Sequence, residues 1–410
     1  MIPLRLDDIA ALALGELDAR ADEVGGVQVD SRRVEPGDLF VAVGRGTDFR
    51  DDALARGAAA TLVPARPFEA FAALGRLVRD LSSARVVGIT GSTGKTSTKD
   101  ILAALCATTA RTVAAEASYN NEIGVPLTLC RLEPDTEVCI LELAMRGFGQ
   151  IAELCRIARP DIGVVTNVGP VHLELVGSLE GVLRAKGELV AALPPRGTAI
   201  VPEEFPVGRA DVEVVRPVEP AERENGRTLV GGVSFNFTAQ HQAANAASAL
   251  AALDALGLPR PAQVDVEFSP WRGEEVPLPG GGLLINDAYN ANPDSMRAAL
   301  AHLAETAGVR RRVVVFGEMA ELGPGAPAFH EEIGREVARH GVEALVAVGE
   351  LARGYLAGAT SVPITRWAAD APAAAAEAVE VVRPGDCVLV KASRVVGLEQ
   401  VAEALAAVNA

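Results

Sequence analysis

Apolar residues along this chain follow two alternating rhythms. Short, nearly unbroken apolar runs such as "RVVGIT" (85–90) and "VCILELA" (138–144) are separated by stretches in which apolar positions recur every three to four residues. Unbroken runs mark strands buried on both faces, and the longer period marks helices packed on a sheet. Their alternation predicts an α/β protein with mainly parallel sheets. Before residue 82 the pattern is small: "DLFVAVG" as strand, "DALARGAA" as helix, "TLVP" as strand. A strand–loop–helix unit follows in "RVVGITGSTGKTSTKDILAAL", and "TLVGGVSFNF" (228–237) alternates as a hairpin should. "HQAANAASALAALDALG" (241–257) and the Ala-rich "APAAAAEAV" (371–379) read as helices. A new α/β series runs through "LLINDAY", "RRVVVFGE", "EALVAVG" and "DCVLVKA".

Two breaks divide the pattern. The Pro- and charge-rich "VVRPVEPAERENGR" (214–227) predicts weak local order, and "VEFSPWRGEEVPLPGGG" (266–282) predicts an interruption before the last series. With a further boundary near 82, three domains are expected: 1–82, 83–268 and 269–410. A length of 410 residues fits that number.

Composition narrows the class. Apolar content of 49% with 22% charged residues indicates a globular chain. A net charge of −16 argues against nucleic acid or an anionic membrane as the main partner, but not against a small anion held by local positive charge. The five cysteines lack metal or redox spacing and read as reduced core residues of a cytoplasmic protein. The N-terminus "MIPLRLDDIA" lacks the apolar core of a signal peptide. The long uncharged stretch 228–253 is too rich in Asn, Gln and His to span a membrane.

Candidate chemistry begins in "GITGSTGKTSTK". Gly91 and Gly94 let backbone amides converge on phosphate oxygens across Gly91, Ser92, Thr93 and Gly94, and the helix opening at Lys95, Thr96 and Ser97 adds positive potential. Lys95 reaches terminal phosphates, and the Thr96 hydroxyl can ligate Mg²⁺. Ile89 stands where the usual first glycine would be. Glu142 ends a buried strand, where a lone carboxylate needs a partner or a metal. The next strand is expected to end near Val168, with His172 four residues on.

Lys186 is the oddest residue. In "GSLEGVLRAKGELV" it shares a helical stripe with Leu179, Val182, Leu183 and Val190. Lysine is rare here: four of the 38 Lys plus Arg are lysine (Lys95, Lys99, Lys186, Lys391), leaving 34 arginines. From the pattern alone, Lys186 either snorkels, pairs with Glu188, or is held neutral, in which state an amine can take up CO₂ as arginine cannot. His241 and Asn245 share a helix face at i, i+4, and Arg272 and Asp287 flank the start of the last region.

Assembled in this order, these residues resemble the Mur ligase family of peptidoglycan precursor synthesis over nearly the whole chain. The marks are "TGSTGKTSTK", "TNVGPVHLE", "RAKGEL" and "INDAY". Further stretches, "YNNEIGVPLTL", "DAYNANPDSM", "VFGEMAELG" and "VLVKASR", resemble the branch that joins D-alanyl-D-alanine to UDP-N-acetylmuramoyl-tripeptide. The resemblance implies an N-terminal uridine-nucleotide domain, a central ATP-binding phosphate-loop domain and a Rossmann-like C-terminal domain. It implies ATP, two Mg²⁺ ions, and CO₂ bound as a Lys186 carbamate that holds the second ion with Glu142 and His172. Thr96 serves the first ion, and Lys95, Lys186 and His172 form the catalytic set. His241 and Asn245 become adenine neighbours, and Arg272 and Asp287 phosphate and ribose contacts. Tyr289, Asn290 and Asn292 face the dipeptide, Ser393 and Arg394 its carboxylate, and Asn120 and Asn121 the muramoyl-peptide or phosphate region. Asp30, Ser31 and Arg32 contact UDP, although "TDFRD" in a shorter loop replaces the family's usual "DGH", and Ala144 stands where Gly is more usual.

The implied reaction passes the ATP γ-phosphoryl group to the tripeptide carboxylate, and the dipeptide amine then attacks the acyl phosphate. A cytoplasmic monomer with small-molecule substrates is expected. The rivals are a Mur-type ligase adding a single amino acid such as diaminopimelate or lysine, a folylpolyglutamate-type ligase, a P-loop ATPase, and a degenerate nucleotide binder.

Overall fold

The computed structural model describes residues 1–224 and 226–407. Asn225, inside the segment expected to be weakly ordered, and the last three residues of the expected C-terminal domain lie outside the described residues. The chain folds into two compact units: Met1–Asn167 with Ala185–Phe237 and Ala243–Val266, and Val168–Arg184 with Thr238–Gln242 and Glu267–Ala410. The first two expected domains therefore lie mainly in one unit, each with its own sheet.

In the first unit, the N-terminal sheet has the order Gly15–Ala19, Ala60–Pro64, Asp38–Val41, Gly26–Gln28, antiparallel only at its first pair. Its "DLFV" strand is buried at every residue, as the unbroken apolar run predicts. The central sheet is six-stranded and wholly parallel: Glu213–Val215, Thr198–Ile200, Ile162–Val165, Arg85–Thr90, Val138–Glu142, Thr112–Ala114. Helix Pro67–Leu81 opens with proline in its first turn, where a missing N–H costs nothing, and buries Phe71, Leu74 and Val78. Helix Gln150–Ala158 begins at Gly149, and the Glu188 carboxylate accepts the N–H groups of Gly149 (2.6 Å) and Ala152 (3.0 Å).

In the second unit, five parallel strands are joined by one antiparallel edge strand, in the order Glu274–Leu278, Gly282–Asp287, Cys387–Lys391, Arg312–Gly317, Ala344–Val348, Ile364–Ala368. The core lies on both faces. Met296, Leu300, Leu303, Phe316, Ile333 and Tyr355 gather in one cluster, and Val313, Val315, Val346, Val388, Val390 and Val401 in another. Helix Pro293–Ala307 is capped by Asn292 and Ser295, which exchange side-chain-to-backbone hydrogen bonds. The expected Ala-rich helix is present as Ala371–Val381. Among the described residues no helix is long and apolar enough to cross a membrane.

Four expectations are corrected. Strands Glu213–Val215 and Ala221–Glu224 reach into or lie within the segment expected to be weakly ordered. All four residues of the second are exposed, so backbone pairing with Arg227–Val230, not side-chain burial, makes it a strand. The break at 266–282 likewise contains a strand, Glu274–Leu278, turned back on Gly282–Asp287 through Pro279–Gly281. The strand before His172 ends at Val165, three residues earlier than expected. Leu179, expected on the buried stripe of its helix, is 52% exposed because it stands at the helix's first residue.

Candidate active site

The strand Arg85–Thr90 delivers the chain to the C-terminal edge of the central sheet, and helix Lys95–Cys106 leaves from it. Between them Gly91 (φ +151°) and Gly94 (φ +78°) adopt conformations that other residues rarely tolerate. Space excludes a side chain as well. A Cβ on Gly91 would sit 1.8 Å from Thr166 Oγ1, and one on Gly94 2.3 Å from Asn245 Oδ1. The loop is held from outside by residues the sequence reading did not single out. Asn167 Oδ1 accepts the Thr93 N–H (2.8 Å), the Asn167 carbonyl accepts the Ser92 N–H (3.1 Å), and Thr166 Oγ1 donates to the Thr93 carbonyl (2.5 Å). Their signal was available in "VVTNVGP", polar residues directly after a buried strand. Lys95 Nζ donates to the Gly91 carbonyl (2.9 Å), curling over the loop.

Glu142 is 1% exposed and ends its strand next to the loop. Both carboxylate oxygens are engaged: Thr96 Oγ1 donates to one (2.8 Å) and Asn120 Nδ2 to the other (2.9 Å). Thr96, Glu142 and Asn120 are thus brought together from three distant positions. Asn121 does different work, accepting the N–H groups of Ile123 (3.2 Å) and Gly124 (2.9 Å) where helix Gly124–Leu129 begins. Lys99, 3% exposed, donates to the carbonyls of Ala115 (2.8 Å) and Ala117 (3.3 Å), fixing the approach to Asn120.

Lys186 is 2% exposed. Burial, aided by the positive charge of Lys95, pushes its pKa well below the usual lysine value, which favours a neutral amine. It does not snorkel, and Glu188, spent on the helix at Gly149, is not its partner. Among the described residues no carboxylate lies within ion-pair distance of Lys186.

His172 belongs to the second unit. It has φ +52°, and its Nδ1 contacts Glu321 Oε2, from the "GEMAELG" loop, at hydrogen-bond range. Among the described residues no group of three or more His, Cys, Asp and Glu side chains converges as a metal site. His241 is held neutral, its pKa pushed down to about 4 chiefly by burial, and its ring meets that of His302 edge-on at 6.1 Å. Asn245, on the same helix as His241, counts in the first unit, beside Gly94.

At the C-terminal edge of the second unit's sheet, Asp287 faces Lys391 across parallel strands, and Lys391 Nζ donates to Asp287 Oδ2 (2.6 Å) and to the Asn290 carbonyl (2.8 Å). The Arg272 guanidinium lies 3.9 Å over the Tyr289 ring, and that of Arg394 4.5 Å over the Trp271 ring. Asn292 is occupied as a helix cap, and the Asn290 side chain accepts the Ala291 N–H (2.9 Å). Ser393 is 4% exposed and accepts the Ala320 N–H (2.9 Å). In the N-terminal region, Arg32 binds the Asp30 carboxylate through its guanidinium and backbone, holding the Asp30 pKa at about 2, while Ser31 is buried.

Comparison with known proteins matches two family descriptions: the Mur ligase middle domain at residues 89–217, and the Mur ligase glutamate ligase domain at residues 271–394. The chain is similar to the UDP-N-acetylmuramoyl-tripeptide--D-alanyl-D-alanine ligase of Synechocystis sp., at 34% identity over 94% of this chain and 93% of the relative. It is 35% identical to the ligase of the same name from Mycobacterium tuberculosis, over 99% and 98%. Among solved structures it is similar to MurF from Acinetobacter baumannii, with 26% identity, a TM-score of 0.86 and 99% of both chains covered. It is also similar to MurF ligase from Thermotoga maritima in complex with ADP, with 28% identity, a TM-score of 0.80, and 93% and 97% covered.

Proposed function

The chain belongs to the Mur ligase family, and from that premise we propose that it is the ATP-dependent, ADP-forming ligase that joins D-alanyl-D-alanine to UDP-N-acetylmuramoyl-tripeptide in peptidoglycan precursor synthesis. The observation that carries the reading is likeness to ligases of this one activity across nearly the whole chain, both in sequence and in three-domain α/β fold.

The chemistry fits the residues at the phosphate loop. A carboxylate and a triphosphate repel, and their alignment needs positive charge and fixed donors. Lys95 and the amides of Gly91–Thr96 supply them. The γ-phosphoryl group passes to the tripeptide carboxylate and ADP departs. The dipeptide amine adds to the acyl phosphate, loses its proton, and the tetrahedral intermediate expels phosphate as the amide forms. Exclusion of water from the acyl phosphate is part of this reading.

Mg²⁺ suits this donor set: one carboxylate and one hydroxyl beside substrate phosphates is an arrangement that ion accepts. Thr96 would hold the first ion, and Glu142 and Lys186 the second. The ions would supply charge neutralisation. Lys186 would enter as a carbamate: its neutral amine would add to CO₂ and release one proton, and the anion formed would be favoured by the nearby charge of Lys95. Its burial with a lowered pKa supports that role. His241 and Asn245 are read as adenine neighbours, and Arg272 and Asp287 as phosphate and ribose contacts. Tyr289, Asn290, Asn292, Ser393 and Arg394 are assigned to the dipeptide side, Asn120 and Asn121 to the muramoyl-peptide side, and Asp30, Ser31 and Arg32 to UDP. The protein is read as a cytoplasmic monomer with domains 1–82, 83–268 and 269–410.

The test is ADP release with ATP, Mg²⁺ and UDP-N-acetylmuramoyl-tripeptide, comparing D-alanyl-D-alanine with single amino acids. Turnover with the dipeptide alone, one amide per ADP, is expected. Turnover with a single amino acid moves the chain to another branch, and hydrolysis indifferent to any amine overturns the ligase reading.

A further inference from the structure

Lys391 has no part in the reaction as described, yet it is 2% exposed and ends the strand Cys387–Lys391 at the edge where ligands bind in open α/β sheets. Strand register sets it beside Asp287, the last residue of its neighbour. Two of its three N–H donors have partners: Asp287 Oδ2 at 2.6 Å and the Asn290 carbonyl at 2.8 Å. Two residues on, Ser393 Oγ donates to the Ala291 carbonyl (3.3 Å), so the same strand exit grips the turn 287–292 again. Asp287 keeps 21% of its side chain exposed, and Tyr289 lies under Arg272. One ammonium therefore fixes both a carboxylate assigned to the nucleotide and the backbone of the turn assigned to the dipeptide. A compact ammonium with three rotatable donors can serve two acceptors in different directions within so small a space.

We propose that Lys391 is a positioning residue that couples the nucleotide side of this site to the dipeptide side. It holds Asp287 and the Tyr289–Asn292 turn in one arrangement, so both substrates meet a single preorganised surface. The proposal rests on the ligase reading and on the assignment of Asp287 to the nucleotide.

Steady-state kinetics at saturating UDP-N-acetylmuramoyl-tripeptide test it, with Lys391→Met, Lys391→Gln, Asp287→Asn and the Lys391→Met/Asp287→Asn double variant. Lys391→Met is expected to raise KM for ATP and for D-alanyl-D-alanine together, on the order of tenfold each. The double variant should raise KM for ATP by less than the product of the single effects, because both changes remove one contact. A rise confined to ATP overturns the coupling. A lower melting temperature with both KM values unchanged makes Lys391 a strut and overturns the proposal. Should the methionine variant not fold, Lys391→Gln, which keeps a donor of shorter reach, is judged by the same outcomes. If Asp287→Asn leaves KM for ATP unchanged, the nucleotide assignment fails and the proposal with it. If Asp287→Asn is impaired while the Lys391 variants are not, the proposal alone fails.

Discussion

Lys186 and Lys391 are equally buried, at 2% exposure each, and both have pKa values pushed down chiefly by desolvation. What surrounds them differs. Lys391 has Asp287 at 2.6 Å and a backbone carbonyl at 2.8 Å, which favour its cation. Lys186 meets no carboxylate among the described residues, and the charge of Lys95 pushes the same way as burial. Burial sets the energetic problem, and the neighbours decide whether it is solved by pairing or by giving up the proton. One lysine is thereby suited to hold a turn, the other to react.

The sharpest way to break this comparison is activity. Lys186→Ala is expected to fold and to lose activity on the order of a thousandfold, as removal of a key electrostatic group does. High bicarbonate should not restore it, whereas a small added carboxylic acid should restore part. Undiminished wild-type activity in CO₂-free buffer after full equilibration would count against the carbamate. Stability comes next, read by urea unfolding of the apo protein. Lys391→Met leaves the Asp287 carboxylate unpaired and should cost about 2–3 kcal/mol, at the low end for a buried pair because Asp287 retains some solvent. Lys186→Met removes an unpaired buried amine and should be neutral or stabilising by about 1 kcal/mol. Equal losses for the two variants would erase the distinction.

The carboxylates extend the comparison with a smaller effect. Glu142 is held by neutral donors, Asn120 and Thr96, where Asp287 is held by a cation. Asn120→Ala should cost about 1–2 kcal/mol, less than Lys391→Met, in the same unfolding assay. The smallest effect is acid sensitivity. His241 has a folded pKa of about 4 against 6.5 for the free side chain. Between those values the unfolded chain binds a proton that the folded chain does not, so stability falls as pH drops from about 6.5 toward 4. Melting temperatures across that window should fall less steeply in His241→Gln.

Much of the site could be read from the chain because its signals are local. The phosphate loop needs glycines, a lysine and a hydroxyl within a few consecutive residues, and Glu142 shows itself as the lone charge in an apolar run. The Lys186 stripe was legible for the same reason, although Leu179, at the end of its helix, escaped burial. Edge strands were not legible: Ala221–Glu224 is wholly exposed, and Glu274–Leu278 contains a proline and buries only its last residue. Both exist because a neighbouring strand offers a ladder.

The α/β class was legible from the chain because periodicity is a property of neighbouring residues, and short motifs such as "TGSTGKTSTK" and "DAYNANPDSM" carried the family resemblance. Only the folded chain brings distant polar side chains into contact. Asn120 meets Glu142 across 22 positions, Asn167 meets Thr93 across 74, and Lys391 meets Asp287 across 104. Parallel sheets enforce this separation. Each return to the same edge requires a crossover, so residues that meet at the C-terminal ends of strands are always distant in the chain.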